Sequence, residues 1–368
     1  MVEGYLAPFL IAALMAGGLT YYVKSIAEKR GLADLPSPRK IHTKPVPRLG
    51  GVAIFLAFLI VVVGYSLGTH RLEFGPDKIL MIDRRLFGVI LGALVLVIIG
   101  IIDDVRGLSP WKKLTGHLLA GVLVVAFGIT IPYIRLGGGA HIDLGNWLLN
   151  LNLLGYGVQI SVWGDLITVL WIVIAINTMN FLDGLDGLAS GISIITAVAL
   201  FALSFSLSQW PMALLALIFA GSVVGFLPWN FNPAKIFMGD SGSMFLGFML
   251  GVLSVISGGK VATAFLILGI PLLDVLWVIL RRIMHKTSPF QADKMHLHHR
   301  LLSVGLTQRQ AVIVLYLIAI VFGIVAVSVG TEGKIEALFW LFILMGVLII
   351  SLLVLEWRRR KRDMEVAK

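Results

Sequence analysis

Apolar runs of about 20 residues recur along the whole chain, and no other feature restricts its fold as strongly. A helix that crosses the ~30 Å hydrocarbon core of a bilayer needs about 20 mainly apolar residues. Only helices and closed barrels satisfy their own backbone hydrogen bonds there. Eleven such segments are readable, at 5–23, 49–67, 86–102, 114–134, 164–181, 187–208, 211–228, 242–258, 261–280, 311–330 and 336–356. The expected fold is an all-α integral membrane protein of about eleven transmembrane helices. It forms a single polytopic domain over residues 1–368, with a basic tail at 357–368. Composition closes the other routes: 58% of the 368 residues are hydrophobic and 14% charged, against roughly 25% charged in soluble domains. Cysteine is absent, which removes disulfides, thiolate metal sites and cysteine nucleophiles. The run at 5–23 has no basic segment before it and reads as a first span, not a cleaved signal. The stretch 135–163 is too polar and Gly-rich to span and reads as an external loop or interfacial hairpin.

An odd number of spans puts the termini on opposite sides, and cytoplasmic loops collect Lys and Arg. With the N-terminus outside, the inside segments 24–48, 103–113, 182–186, 229–241, 281–310 and 357–368 hold 23 of the 30 Lys and Arg. The expected orientation is therefore N-terminus outside and C-terminus cytoplasmic, in the cell (plasma or inner) membrane. The net charge of +10 reads as this bias. Membrane lipids are expected partners, nucleic acid is not, and Arg358 to Arg362 would face anionic headgroups.

Ionisable groups at span ends are costly and mark function by default. They gather here. Asp103 and Asp104 end the third span; their mutual repulsion calls for a nearby cation, for which Arg106 is a candidate. Asn180, Asp183 and Asp186 end the fifth at helical spacing, with no basic residue in the stretch, so a metal ion or a cation from another loop is needed. Asn230, Asn232 and Asp240 lie between the seventh and eighth spans. Asp240 could cap the next helix; with Asn180 it would also make a hard-oxygen site of the kind magnesium takes. Phe237 offers either packing or a flat face for a nucleobase. Asp274 lies deeper, within the ninth span. The loop after it carries His296, His298 and His299, with Arg281, Arg282 and Arg300 nearby. Adjacent histidines without cysteine are a poor zinc site, and donation to a pyrophosphate fits better. The loop 39–51, with Lys44 and Arg48, is basic and Pro-rich. Together these groups suit phosphoryl transfer, where catalysis is mostly positioning and charge stabilisation. A soluble nucleotide diphosphate and a lipid acceptor would be the substrates.

At Asp103-Asp104, Asn180-x-x-Asp183-Gly184-x-Asp186-Gly187, Asn230 with Phe237 to Ser243, and His296-x-His298-His299, the chain resembles the polyprenyl-phosphate N-acetylhexosamine-1-phosphate transferases. The resemblance covers nearly the whole chain. It implies a magnesium-dependent enzyme, with Mn²⁺ as a substitute ion, acting at the cytoplasmic face. It implies Asp103 as the base toward the lipid phosphate, supported by Asp104. Asp240 would be the metal ligand with Asn180 as a second, and Asp183 an essential acid near the nucleotide sugar. Asp186 would contact uracil and Phe237 stack on it. His296, His298 and His299 would close over the sugar phosphates; Asn230, within the third motif, and Arg281, Arg282 and Arg300, read from their place near the histidines, are the further substrate-binding candidates. Lys44 falls near a phosphate-binding lysine, though the local pattern differs.

The interrupted histidine motif, with Leu297 between His296 and His298, resembles the branch that uses UDP-GlcNAc. The expected reaction is GlcNAc-1-phosphate transfer to undecaprenyl phosphate with release of UMP, opening cell-surface glycan synthesis such as lipopolysaccharide or teichoic acid. The alternative is phospho-MurNAc-pentapeptide transfer in peptidoglycan synthesis, where three consecutive histidines are usual. A transporter or lipid flippase is the reading from another class. A homodimer is compatible with the chain. One displacement or a covalent aspartyl intermediate both fit the motif order.

Overall fold

A computed structural model describes residues 3–36, 44–136, 138–153, 156–256, 261–284 and 297–366. α1 (Glu3–Lys29) leads through the paired strands β1 (Ala33–Asp34) and β2 (Val46–Pro47) into α2 (Gly50–Thr69). A second short hairpin, β3 (Lys78–Ile79) with β4 (Ile82–Asp83), precedes α3 (Arg84–Arg106). Asp83 caps α3 by accepting from the N–H groups of Arg85 and Leu86. α4 (Pro110–Ala126) begins on a proline, whose missing N–H costs nothing in a first turn. Then come β5 (Tyr133–Arg135) with β6 (His141–Asp143), and β7 (Leu148–Leu153) with β8 (Tyr156–Ser161), both antiparallel. The rest is helical: α5 (Val162–Leu182), α6 (Leu188–Ser206), α7 (Trp210–Asn230), α8 (Gly239–Ile256), α9 (Val261–Ile267), α10 (Gly269–Met284), α11 (Leu297–Ser303), α12 (Gln308–Ser328) and α13 (Thr331–Val366).

Among the described residues nine helices are long and apolar enough to cross a bilayer, and α9 with α10 makes a tenth if the bent pair counts as one span. The chain is a multi-pass, mainly helical membrane protein. Two expected spans differ in form. The segment 114–134 falls on α4, which stops at Ala126 ahead of Gly128 and Pro132; its 17 residues extend roughly 25 Å at ~1.5 Å per residue, short of the hydrocarbon core. The segment 261–280 is two helices bent by 73°. Pro271 follows the break and has no N–H to give to the carbonyl of Ile267, four residues back. The described residues between Tyr133 and Ser161 include two antiparallel hairpins and no spanning helix.

α8 is the pillar of the bundle. It packs against α2, α3, α5 and α6, and its side chains from Ser241 to Val255 are buried on every face. A helix apolar all round belongs in an interior. Phe245 sits at its centre, with ring centroids 5.5 Å from Phe55, 5.6 Å from Phe58 and 5.9 Å from Phe219. Tilted and edge-on pairs of this kind add to the burial energy. Rigid packing around α8 fixes where its first turn lies, and that turn carries Asp240.

Candidate active site

The ends of α3 and α5, the start of α8 and the start of α4 meet at one end of the bundle. Close approach makes this contact. A side chain at Gly100, one turn before Asp104, would collide with the backbone of Ser241. At Gly239 the backbone is left-handed, φ +72°, a conformation that costs other residues energy. A Cβ there would run into the Asp104 carboxylate.

Asp104 fills the end of α8. Its Oδ1 accepts from the Asp240 N–H at 2.9 Å; its Oδ2 accepts from the Ser241 N–H at 3.2 Å and the Ser241 hydroxyl at 2.9 Å. A carboxylate at a helix N-terminus satisfies orphan donors and complements the dipole. The cap of this helix is therefore Asp104, reaching over from α3, and not Asp240 as the local sequence suggested. With three donors on it, Asp104 is a positioning group in this cluster.

The Asp240 carboxylate faces the other way, to Lys113. The Lys113 ammonium donates to Asp240 Oδ2 at 2.6 Å and to Asp103 Oδ2 at 2.8 Å. Asp103 Oδ1 also accepts from the Leu108 N–H at 2.6 Å. The cation serving the acid pair is thus Lys113; the sequence candidate Arg106 lies exposed on the last turn of α3. Lys113 reads in sequence as one more charge after a span.

Asp183 ends α5. Burial holds its carboxyl well above the usual carboxylate range, and Asp240, Asp104 and Asp186 push it in the same direction against the weaker opposing pull of Arg48. Asn180, one turn earlier, donates its amide nitrogen to the Ser243 hydroxyl at 2.9 Å, which leaves the amide oxygen as its ligand atom. Asp186 Oδ2 accepts from Asn232 Nδ2 at 2.9 Å and from the Ala234 N–H at 3.0 Å. Asn232 also donates to Gln308 Oε1 at 2.7 Å, so α12 joins this side of the site; the sequence reading had no signal for Gln308.

Phe237 is partly exposed and held by its backbone. Its N–H donates to the Pro47 carbonyl at 2.8 Å, and its own carbonyl accepts from Gly50 at 2.9 Å. Lys44 is exposed, three residues before Pro47. Arg48 pairs with Asp34.

Other expectations are revised. Asn230 is buried, 2% exposed. Its oxygen accepts from the Gly187 N–H and the Ser190 hydroxyl, and its nitrogen donates to the Ile236 carbonyl. It ties the acid turn to the Phe237 loop from behind instead of meeting a substrate. Arg282 and Arg300 are buried, 5% and 6% exposed, and engaged within the chain. Arg281 is half-buried on the last turn of α10 and likewise engaged. His298 and His299 lie on α11, with His299 half-buried. His296 lies outside the described residues.

No group of three or more His, Asp and Glu side chains with ready-made metal geometry occurs among the described residues. The donor chemistry nonetheless fits a divalent hard cation. Asp103 and Asp240 share one ammonium, Asp104 lies beside them on the first turn of α8, and the repulsion of these acids is felt at Asp183, whose carboxyl is held toward its neutral form. Oxygen donors and few fixed ligands are what magnesium takes.

The family model described as glycosyl transferase family 4 matches residues 86–258, the stretch that contributes Asp103, Lys113, Asp183 and Asp240. The chain is 34% identical to a Bacillus subtilis protein named probable undecaprenyl-phosphate N-acetylglucosaminyl 1-phosphate transferase, over 92% of this chain and 88% of that one. It is 35% identical to the decaprenyl-phosphate N-acetylglucosaminephosphotransferase of Mycolicibacterium smegmatis, over 84% and 78%. It is 29% identical to the undecaprenyl-phosphate alpha-N-acetylglucosaminyl 1-phosphate transferase of Thermotoga maritima, over 94% and 96%.

Proposed function

The chain belongs to glycosyl transferase family 4, and on that premise we propose that it transfers GlcNAc-1-phosphate from UDP-GlcNAc to undecaprenyl phosphate at the cytoplasmic face of the cell membrane. The observation that carries this reading is the convergence of acids from the end of α3 and the start of α8: Asp103 and Asp240 share Lys113, and Asp104 accepts from the Asp240 N–H, 136 positions away in sequence. The relatives' names, with GlcNAc as the sugar, favour UDP-GlcNAc over UDP-MurNAc-pentapeptide. The Lys and Arg distribution supports the cytoplasmic side.

An oxygen of the lipid phosphate attacks the β-phosphorus of UDP-GlcNAc. The bond from that phosphorus to the bridging oxygen breaks, and UMP leaves. A phosphomonoester with a second pKa of ~6 is mostly ionised at neutral pH. Asp103 therefore needs only to take a residual proton from it, and Lys113 holds Asp103 facing the reacting centre. Asp240 and the amide oxygen of Asn180 would hold Mg²⁺, or Mn²⁺ in its place, which when bound supplies positive charge to the pyrophosphate. Asp183 completes the acidic wall beside the sugar phosphate. Asp186, oriented by Asn232 and the Ala234 N–H, accepts from the nucleobase, and Phe237 stacks on its face. His298 and His299 donate to the phosphates from α11.

Purified protein supplied with UDP-GlcNAc, undecaprenyl phosphate and Mg²⁺ is expected to release UMP and form lipid-linked GlcNAc. Turnover with UDP-MurNAc-pentapeptide in its place would assign the other branch. Exchange of labelled UMP into UDP-GlcNAc without lipid would favour a covalent intermediate over one displacement.

A further inference from the structure

Asp274 is a buried carboxylate that the reaction above does not use. It lies on α10, past the 73° break that separates it from α9, and is 8% exposed. A carboxylate at this depth is expensive unless it has partners. One partner is the backbone of a distant segment: Asp274 Oδ1 accepts from the Leu297 N–H at 2.8 Å. Leu297 opens α11, which carries His298, His299 and Arg300.

The same two residues share a cavity with the residues that flank the acid turn. Asp274 and Leu297 line a small cavity of about 20 Å³ together with Leu182, Leu188, Ile270 and Pro271. Leu182 immediately precedes Asp183, and Leu188 immediately follows the Asp186-Gly187 pair. The Asp274–Leu297 contact therefore lines the same cavity as the two residues that flank the Asp183–Asp186 turn. A helix as short as α11, seven residues, does not hold its place by its own hydrogen bonds; its position depends on what docks it.

The geometry points to Asp274 as a positioning residue that docks the histidine helix onto the acid turn. Its carboxylate clamps the Leu297 N–H, and Leu297 lines a cavity with Leu182 and Leu188, the residues that flank the acid turn. The inference rests on the proposed function for what the histidines do, but not for the clamp itself.

Two measurements separate these. The first is hydrogen exchange of the full-length protein in lipid nanodiscs, without substrate. In Asp274→Ala the amides of residues 297–303 should exchange at least tenfold faster than in the parent, with α3, α5 and α8 unchanged. Asp274→Asn keeps an oxygen acceptor and should restore most of that protection. The second is steady-state kinetics with UDP-GlcNAc. Asp274→Ala should lose at least tenfold in kcat with KM for undecaprenyl phosphate within threefold, and Asp274→Asn should recover kcat to within threefold of the parent. Unchanged exchange over 297–303 in Asp274→Ala, or an unchanged kcat in a turning-over protein, overturns the proposal. Faster exchange in a protein whose parent does not turn over UDP-GlcNAc leaves the clamp standing and counts against the function. Loosening spread over α3, α5 and α8 as well would mean a general fold defect and would also overturn it.

Discussion

The backbone N–H of Asp240 donates to the carboxylate of Asp104 at 2.9 Å, joining the end of one helix to the start of another 136 residues later. Two consequences follow. The first turn of α8 is fixed by a group outside it, and the Asp240 side chain is released from capping to face Lys113 and Asp103. Gly239 permits the approach, because any side chain there would occupy the space of the Asp104 carboxylate. Gly239→Ala is expected to cost ~1–2 kcal/mol from the left-handed backbone alone and to lower turnover more than tenfold. Gly64→Ala, where nothing lies within 4 Å, should leave turnover within twofold. Equal activity of the two variants in the lipid-linked GlcNAc assay would contradict this geometry.

Lys113 holds two carboxylates that otherwise repel. Lys113→Met should reduce kcat/KM at least tenfold. In metal-free buffer it should destabilise the protein by roughly 1–2 kcal/mol, a modest figure because the three groups are partly exposed. Added Mg²⁺ should raise the melting temperature of the variant more than that of the parent. Thermal melts with and without Mg²⁺ check this, and a variant that melts and turns over like the parent would remove Lys113 from the site.

Asp183 gives a pH dependence. Its carboxyl is raised in the folded chain, so the folded state keeps a proton that the unfolded chain releases above about pH 4. The stability tied to that proton is intact below pH 4 and lost as pH rises through the raised folded value. Asp183→Asn carries no such loss. The melting temperature of the variant minus that of the parent, in metal-free buffer, should grow by at least ~2 °C between pH 5 and pH 8. A constant difference would mean that Asp183 is not strained by its acidic neighbours. The same variant should be inactive at both pH values.

The helical bundle and most of the acid cluster were legible in the sequence, for reasons particular residues make plain. Long apolar runs have few alternatives in a membrane, and acids such as Asp103 and Asp183 at the ends of those runs are too costly to be incidental. What escaped was decided by tertiary contact. Lys113 is indistinguishable in sequence from a charge that orients the chain, until α4 folds back along α3. The capping role of Asp104 belongs to a helix it is not part of. Asn230 carries the same amide that a substrate-binding residue would, and only its burial against Gly187, Ser190 and Ile236 shows it to be a brace. The break ahead of Pro271 was written in the sequence, but an apolar run of twenty residues outweighs one proline when only hydropathy is read.

The most direct test of the account is turnover of UDP-GlcNAc and undecaprenyl phosphate in metal-stripped buffer, followed by Mg²⁺ titration, for the parent, Asp103→Asn and Asp240→Asn. The account predicts no product without metal, full recovery of the parent with Mg²⁺, and neither variant rescued at any Mg²⁺ concentration. Undiminished turnover of the parent in metal-stripped buffer, or parent-like turnover of either variant, would contradict it.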